Sequence, residues 1–294
     1  MTPKYPSSVA NQIVENITNS LESIGVMFRI FQRVKTIASL DRKINSKNKY
    51  LNFESKIQDL VGIRIVLYFA DDIKIVHNLI SNLYKESRSD QSVDDLDAKT
   101  FNPVRYNLIY RLQEDECYSL QRNHTDYVDL TFELQIRTVL SEGWHEVEHD
   151  LRYKFEDDWS NSLPESRRMN GVYASLETSE WTMIQILEAV AYRQYKEKNW
   201  EAMFRQKLRL RIHNFSLGEE LCNIFNTDAE SAKSFFRIDR DKLIYQLYKQ
   251  EYSYPLNLKN LVYFANVVFI KNEKILNLTP SEFVEEFTNE DEQE

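Results

Sequence analysis

The chain has 294 residues, long for one minimal domain and suited to a core domain with an appendage. A net charge of −9 argues against a dedicated duplex-binding protein, although a local basic pocket for a polyphosphate remains open. With 5 Gly, and no G-x-G-x-x-G or G-x-x-x-x-G-K-[ST], a Gly-rich phosphate loop has no sequence support. Cys117 and Cys222 form no C-x-x-C pair and read as ordinary reduced thiols. The N-terminus has no apolar leader, and no uncharged apolar stretch is long enough to span a bilayer. A soluble cytoplasmic protein is expected, with no membrane partner.

In chain order, Val9, Ile13, Ile17, Leu21 and Ile24 recur every three or four residues, which predicts an amphipathic helix over 7–25. "MFRIFQRVKTIASLDRKI" is expected to continue as helix with a basic face. "LVGIRIVLYF" (60–69) is rich in β-branched residues and predicts a buried strand. A helix follows, with Ile73, Val76, Leu79, Ile80 and Leu83 on one face, then a polar loop over 87–103. "VRYNLIYRL" and "YVDLTFELQIR" predict two more strands. In the second, Val128, Leu130, Phe132, Leu134 and Ile136 alternate with polar residues, which puts Glu133 and Gln135 together on the opposite face. From Val139 the spacing turns helical, with Trp144 as an anchor to the core. Residues 172–290 are mostly helical by pattern. The expected class is α+β, a mixed sheet flanked by helices with a mostly helical C-terminal appendage. Domains are expected at 1–200 and 201–294.

Three segments concentrate chemistry. On a continuous helix Lys35, Ser39 and Lys43 would line one face near Arg33. That makes a polyphosphate cradle, or else a solvated basic surface. Asp59-x-x-Gly62-x-Arg64 places an acid at the mouth of a strand and an Arg inside it. The pair reads as a structural salt bridge or as a metal ligand beside a base-stacking guanidinium. Glu133-x-Gln135-x-Arg137 could bring a second carboxylate to the same Mg²⁺, or form a solvent-facing strand side.

Taken together and in order, "RVKTIASLDRK", "DLVGIRIVLYFADDI" and "ELQIRT…GWHEVEHDLRYK" resemble the RelA/SpoT-type alarmone synthetases over about residues 25–160. The resemblance implies a nucleotidyltransferase-like synthetase core acting as a pyrophosphokinase. A 3′-hydroxyl would attack the β-phosphorus of ATP and AMP would leave, giving a (p)ppGpp-type alarmone when the acceptor is GDP or GTP. It implies that Arg33 and Arg64 sandwich adenine and that Lys35, Ser39 and Lys43 grip phosphate. Asp59 and Glu133 would ligate Mg²⁺, with Glu133 also activating the hydroxyl. Gln135, Arg137, His149 and Lys154 would support the site.

The family's Tyr-x-Ser-x-His run is matched only in part by Tyr106-Asn107-Leu108-Ile109-Tyr110. Tyr106 and Tyr110 are the candidate acceptor-binding residues, and the altered positions point to a changed acceptor side. The alternatives are therefore the tRNA 3′ end, an adenosine nucleotide, or a module that binds nucleotide without turning it over. "RQKLRLRIHN" (205–214) is the candidate tRNA-docking patch. The early His and His-Asp pairs of the family's hydrolase domain are missing. The sequence leaves self-association and the appendage's role open.

Overall fold

The computed structural model describes residues 4–46, 56–87, 92–93, 106–121 and 127–288. Most of the expected 87–103 loop and the acidic tail lie outside them. Two compact units divide the chain. One is built from Met1–Asn19 and Phe28–Trp181, the other from Ser20–Met27 and Thr182–Glu294. The sequence-derived 200/201 boundary falls inside the second unit.

The first unit centres on a five-stranded sheet in the order β1-β2-β5-β4-β3. Its strands are β1 (Phe28–Val34), β2 (Val61–Leu67), β3 (Ser92–Val93), β4 (Tyr106–Arg111) and β5 (Thr131–Thr138). The β2–β5 pair is parallel and the other neighbours are antiparallel, so the sheet is mixed. Helices α1 (Lys4–Ser23), α2 (Ile37–Ser46), α3 (Asp72–Leu83), α4 (Glu114–Gln121) and α5 (Val139–Leu151) accompany it. The period-two pattern of β5 has a clear outcome. Phe132, Leu134 and Ile136 are buried, while Glu133, Gln135 and Arg137 stay partly exposed on the other side. On α3, Ile75, Val76, Leu79 and Ile80 are buried. No helix among the described residues is long and apolar enough to cross a membrane.

The structure corrects one element. Phe28–Val34 is a strand antiparallel to β2, where a helix was expected. The break comes at Gly25, whose φ of +73° suits a helix C-terminus. Gly25 N–H bonds Glu22 O at 3.1 Å and Val26 N–H bonds Leu21 O at 3.3 Å, which together close α1. Beyond that stop, the aromatic and β-branched residues of "FRIFQRV" favour a pleated strand. Lys35, Ser39 and Lys43 therefore do not share one helix. Arg33 is on β1, Lys35 is in the link, and Ser39 and Lys43 are on α2.

A strand-to-helix switch follows β5. Thr138 Oγ1 accepts from Ser141 N–H at 3.1 Å, and Thr138 N–H donates to Ser141 Oγ at 3.0 Å. Trp144 anchors α5 as expected: it is buried, and its Nε1 donates to Met169 O at 2.9 Å. A 3₁₀ segment, Tyr153–Trp159, precedes α6 (Leu163–Lys196).

The second unit is helical. Beyond the end of α6 it contains α7 (Trp200–Leu208), α8 (Glu219–Thr227), α9 (Ala229–Phe236), α10 (Arg240–Lys249), α11 (Leu258–Ala265), α12 (Glu273–Leu276) and α13 (Ser281–Thr288). Rings fill its core, among them Phe204, Phe225 and Phe235. The basic run 205–214 is largely engaged inside the unit. Lys207 and Arg209 both reach Glu188, at 3.0 and 3.2 Å, Arg209 is buried, and Arg205 lies over the Phe215 ring. Within that run Lys207 is partly covered and Arg209 buried, while Arg205 and Arg211 are exposed.

Candidate active site

A cavity of about 480 Å³ opens on the polar face of the sheet in the first unit. It gathers Arg33, Lys35, Asp59, Arg64, Glu133, Gln135, His149 and Lys154, residues that span 122 positions of sequence from first to last. Strand register explains the convergence. Arg33 lies opposite Gly62, Gly62 opposite Glu133, and Arg64 opposite Gln135. Cross-strand partners share a face, so β1, β2 and β5 deliver their polar residues to one surface.

Two charge clusters organise the cavity. In the first, Asp59 accepts from Lys35 Nζ at 2.7 Å and from Lys43 Nζ at 2.8 Å. Burial is the largest single influence on this carboxyl and opposes its ionisation. The two ammonium hydrogen bonds and their charges outweigh it and hold the group below the usual carboxylate range. The Asp59–Arg64 salt bridge that sequence left open does not form among these contacts. Lys43 joins the site through Asp59.

In the second cluster, Arg64 donates from Nε to Gln135 Oε1 at 3.0 Å and from Nη1 to Glu142 Oε1 at 2.7 Å, with Glu146 as a further partner. Arg137 donates to the other oxygen of Glu142 at 2.9 Å. Burial, and after it the charge of Arg64, draws the Arg137 pKa down, while Glu142 draws it up. Gln135 Nε2 in turn donates to Glu133 Oε1 at 3.3 Å. One connected network thus runs from Glu133 through Gln135, Arg64 and Glu142 to Arg137. At the rim, His149 Nδ1 and Lys154 Nζ both meet Asp150, at 2.9 and 2.6 Å.

Two expected residues, Ser39 and Tyr110, fall elsewhere. Ser39 packs its hydroxyl against Thr36 Oγ1 at 3.0 Å, and its N–H donates to that oxygen, at the start of α2. Tyr110 is fully buried on the opposite side of the sheet. There it stacks on Phe132 with centroids 5.7 Å apart, and its hydroxyl meets Ser81 and Glu86. The cause is register: Ile109 is the residue opposite Glu133, and Asn107 is opposite Gln135. Tyr110 therefore does not face the cavity. Tyr106 heads β4, paired with Ile136, and its side chain lies outside the described residues.

Sequence reasoning missed Phe31, Glu142 and Glu146. The i,i+4 spacing of the two glutamates, directly after a strand carrying Arg137, was the available signal. Phe31 was hidden by the helical reading of its segment.

Residues 32–158 match the family model described as the region found in RelA / SpoT proteins. That stretch of the chain is similar to the RelA/SpoT region. That region contains every cavity-lining residue named above except Phe31. Among curated proteins, GTP pyrophosphokinase YjbM of Bacillus subtilis (strain 168) is 28% identical over 168 residues, 54% of this chain and 74% of that one. GTP pyrophosphokinase YwaC of the same organism is 28% identical over 134 residues, 45% of this chain and 60% of that one. The crystal structure of small alarmone synthetase 1 from Bacillus subtilis aligns at 23% identity and a TM-score of 0.41, covering 61% of this chain and 92% of that one. The RelA/SpoT match spans 32–158, so both segments of the second unit, one before it and one after, lie outside it.

Proposed function

We propose that the chain is a pyrophosphokinase that transfers the β,γ-pyrophosphoryl group of ATP to the 3′-hydroxyl of a guanosine nucleotide. The observation that carries this reading is the single cavity uniting Asp59 and Glu133 with Arg33, Lys35 and Arg64. Such transfer needs positioning and charge neutralisation more than covalent help from the protein. Arg33 and Arg64 hold the donor base. Lys35 and Lys43 hold its phosphates by charge-assisted hydrogen bonds. Glu133 accepts the proton of the attacking 3′-hydroxyl. The O3′–Pβ bond forms, the bond from Pβ to the α,β-bridging oxygen breaks, and AMP departs with that oxygen. Gln135 and Arg137 fix the carboxylate and guanidinium positions through the network. His149 and Lys154 stand at the rim where pyrophosphate or acceptor enters.

Among the described residues no group of three or more His, Cys, Asp or Glu could hold a metal alone. Asp59 and Glu133 are two carboxylates in one polyphosphate-sized cavity, and that fits Mg²⁺, which takes one or two carboxylates and fills its shell with phosphate oxygens and water. When bound, Mg²⁺ would supply charge neutralisation at the polyphosphate.

The guanosine acceptor is favoured by the curated relatives, both named GTP pyrophosphokinases. The case for an altered acceptor rested on Leu108 and Tyr110. Both are buried, and the register places Ile109, not either of them, opposite Glu133. The test offers labelled ATP with GDP, GTP, ADP, ATP or bulk tRNA to the purified protein. AMP release with a labelled guanosine product is expected, and Glu133→Gln is expected to abolish it while keeping the parental melting temperature. ATP binding without AMP from any acceptor would make the chain a nucleotide-binding module. Label on tRNA alone would replace the guanosine acceptor.

A further inference from the structure

We propose that Phe31 is a base-contacting wall of the cavity, and that the slot it bounds takes the flat heteroaromatic ring of the donor nucleotide. The proposal deepens the pyrophosphokinase reading and rests on it. Phe31 lines the cavity, yet 52% of it is exposed, and among the described residues its ring meets no other ring. An aromatic side chain left open at a polar site gains when a second flat apolar face covers it. A phosphate or a ribose hydroxyl has nothing comparable to offer it.

The surroundings define a slot. Phe31 is the cross-strand partner of Arg64, so the two share a face of the sheet. Arg64 already commits Nε to Gln135 and Nη1 to Glu142 and Glu146. Its hydrogen-bonding edge is thus mostly spent inside the protein, and its planar face is the surface left for stacking. Arg33, the second guanidinium, lies opposite Gly62. A Cβ built on Gly62 would meet only Arg33 O, at 3.7 Å, an ordinary contact. The protein itself does not need that space empty, and the gap sits between the two guanidinium-bearing positions. A benzene ring, two guanidinium groups and a floor without a side chain are complementary to a planar base. Every base has a π-face, so the slot recognises flatness and size more than a hydrogen-bonding pattern.

The experiment is calorimetric titration of the parent, Phe31→Ala and Phe31→Trp with ATP and with inorganic tripolyphosphate, both in magnesium, with thermal melts as a folding check. Phe31→Ala is expected to weaken ATP on the order of ten-fold, as loss of one base–aromatic contact predicts. Tripolyphosphate affinity is expected to be unchanged, and Phe31→Trp to hold ATP near the parental level. Equal ATP affinity in parent and Phe31→Ala overturns the proposal and leaves the pyrophosphokinase reading intact. So does a loss shared equally by ATP and tripolyphosphate, which would make Phe31 a structural residue. A parent that does not bind ATP overturns both.

Discussion

Lys43 Nζ lies 2.8 Å from each carboxylate oxygen of Asp59, and Lys35 Nζ reaches one of those oxygens at 2.7 Å. One partly buried acid thus serves two ammonium groups. Burial raises its pKa, and the two lysines lower it by more. Because the folded value lies below the unfolded one, the unfolded chain takes up this proton first as pH falls. The stabilisation is complete above the ordinary carboxylate range and is lost as pH drops through the folded value. Asp59→Asn should therefore lose thermal stability less steeply than the parent between about pH 5 and 2. Melting curves across that range check it, and superimposable acid limbs would contradict the pairing.

Glu142 and Glu146 should differ in their consequences. Glu142 binds both Arg64 and Arg137 and is largely shielded, whereas half of the Glu146 side chain is exposed. Removing a carboxylate that two guanidinium groups share costs about 1.5–3 kcal/mol per charge-assisted bond lost. An exposed ion pair is worth about 1 kcal/mol or less. Glu142→Ala should lower stability and raise KM for ATP by releasing Arg64, and Glu146→Ala should do little of either. Denaturant unfolding and steady-state kinetics on the two variants would rank them. The reverse order would mean that the guanidinium is held by Glu146.

Much of this site was legible because β5 announces itself. Strict alternation from Val128 to Ile136 told the faces apart, and the structure keeps Glu133 and Gln135 on the polar one. Arg33, Lys35 and Lys43 were recognised as cations near a phosphate site, yet only Lys43 is on a helix. A spacing of four is the helical signature, and here it holds within α2 for Ser39 and Lys43 but extends to Lys35 in the link by accident. Gly25 was the missed punctuation mark. On β4 the error was one of parity. Tyr106, Leu108 and Tyr110 alternate correctly, and a pattern of period two cannot say which face is wet until a neighbour fixes the register. The glutamate partners of Arg64 could not be named, because three strands and two helices separate them in sequence.

Gly62→Ala makes a sharp test of the cavity floor. The added methyl meets no atom closer than 3.7 Å. Replacing Gly inside a strand removes an entropic penalty of about 0.5–1 kcal/mol. The melting temperature should hold or rise. ATP affinity should fall by roughly ten-fold or more, as overpacking a filled site by one carbon costs about 1–3 kcal/mol. A variant that is both less stable and fully able to bind ATP would contradict the picture twice.

Tyr110→Phe tests the reassignment of β4. The hydroxyl lost is bonded to Ser81 at 3.0 Å and Glu86 at 3.3 Å, away from the cavity. Stability should drop by about 0.5–1.5 kcal/mol. KM for donor and acceptor should stay at the parental values. A rise in acceptor KM alone would return Tyr110 to the site.

The second unit takes in the short early segment Ser20–Met27, where Gly25 O accepts from Arg211 N–H at 2.7 Å and Leu256 sits against the space above Gly25. During synthesis this segment leaves the ribosome about 150 residues before its partners begin to appear, a wait of roughly 10–30 s at ordinary elongation rates. The interval spans the making of the whole sheet. Nascent-chain folding is thus ordered by topology: the sheet-bearing unit can be complete while the helical unit still lacks everything but one turn and a glycine. The same interleaving means that no single cut in the polypeptide separates the two units cleanly, since any shortened version ending near 181 keeps eight residues whose packing partners have been removed.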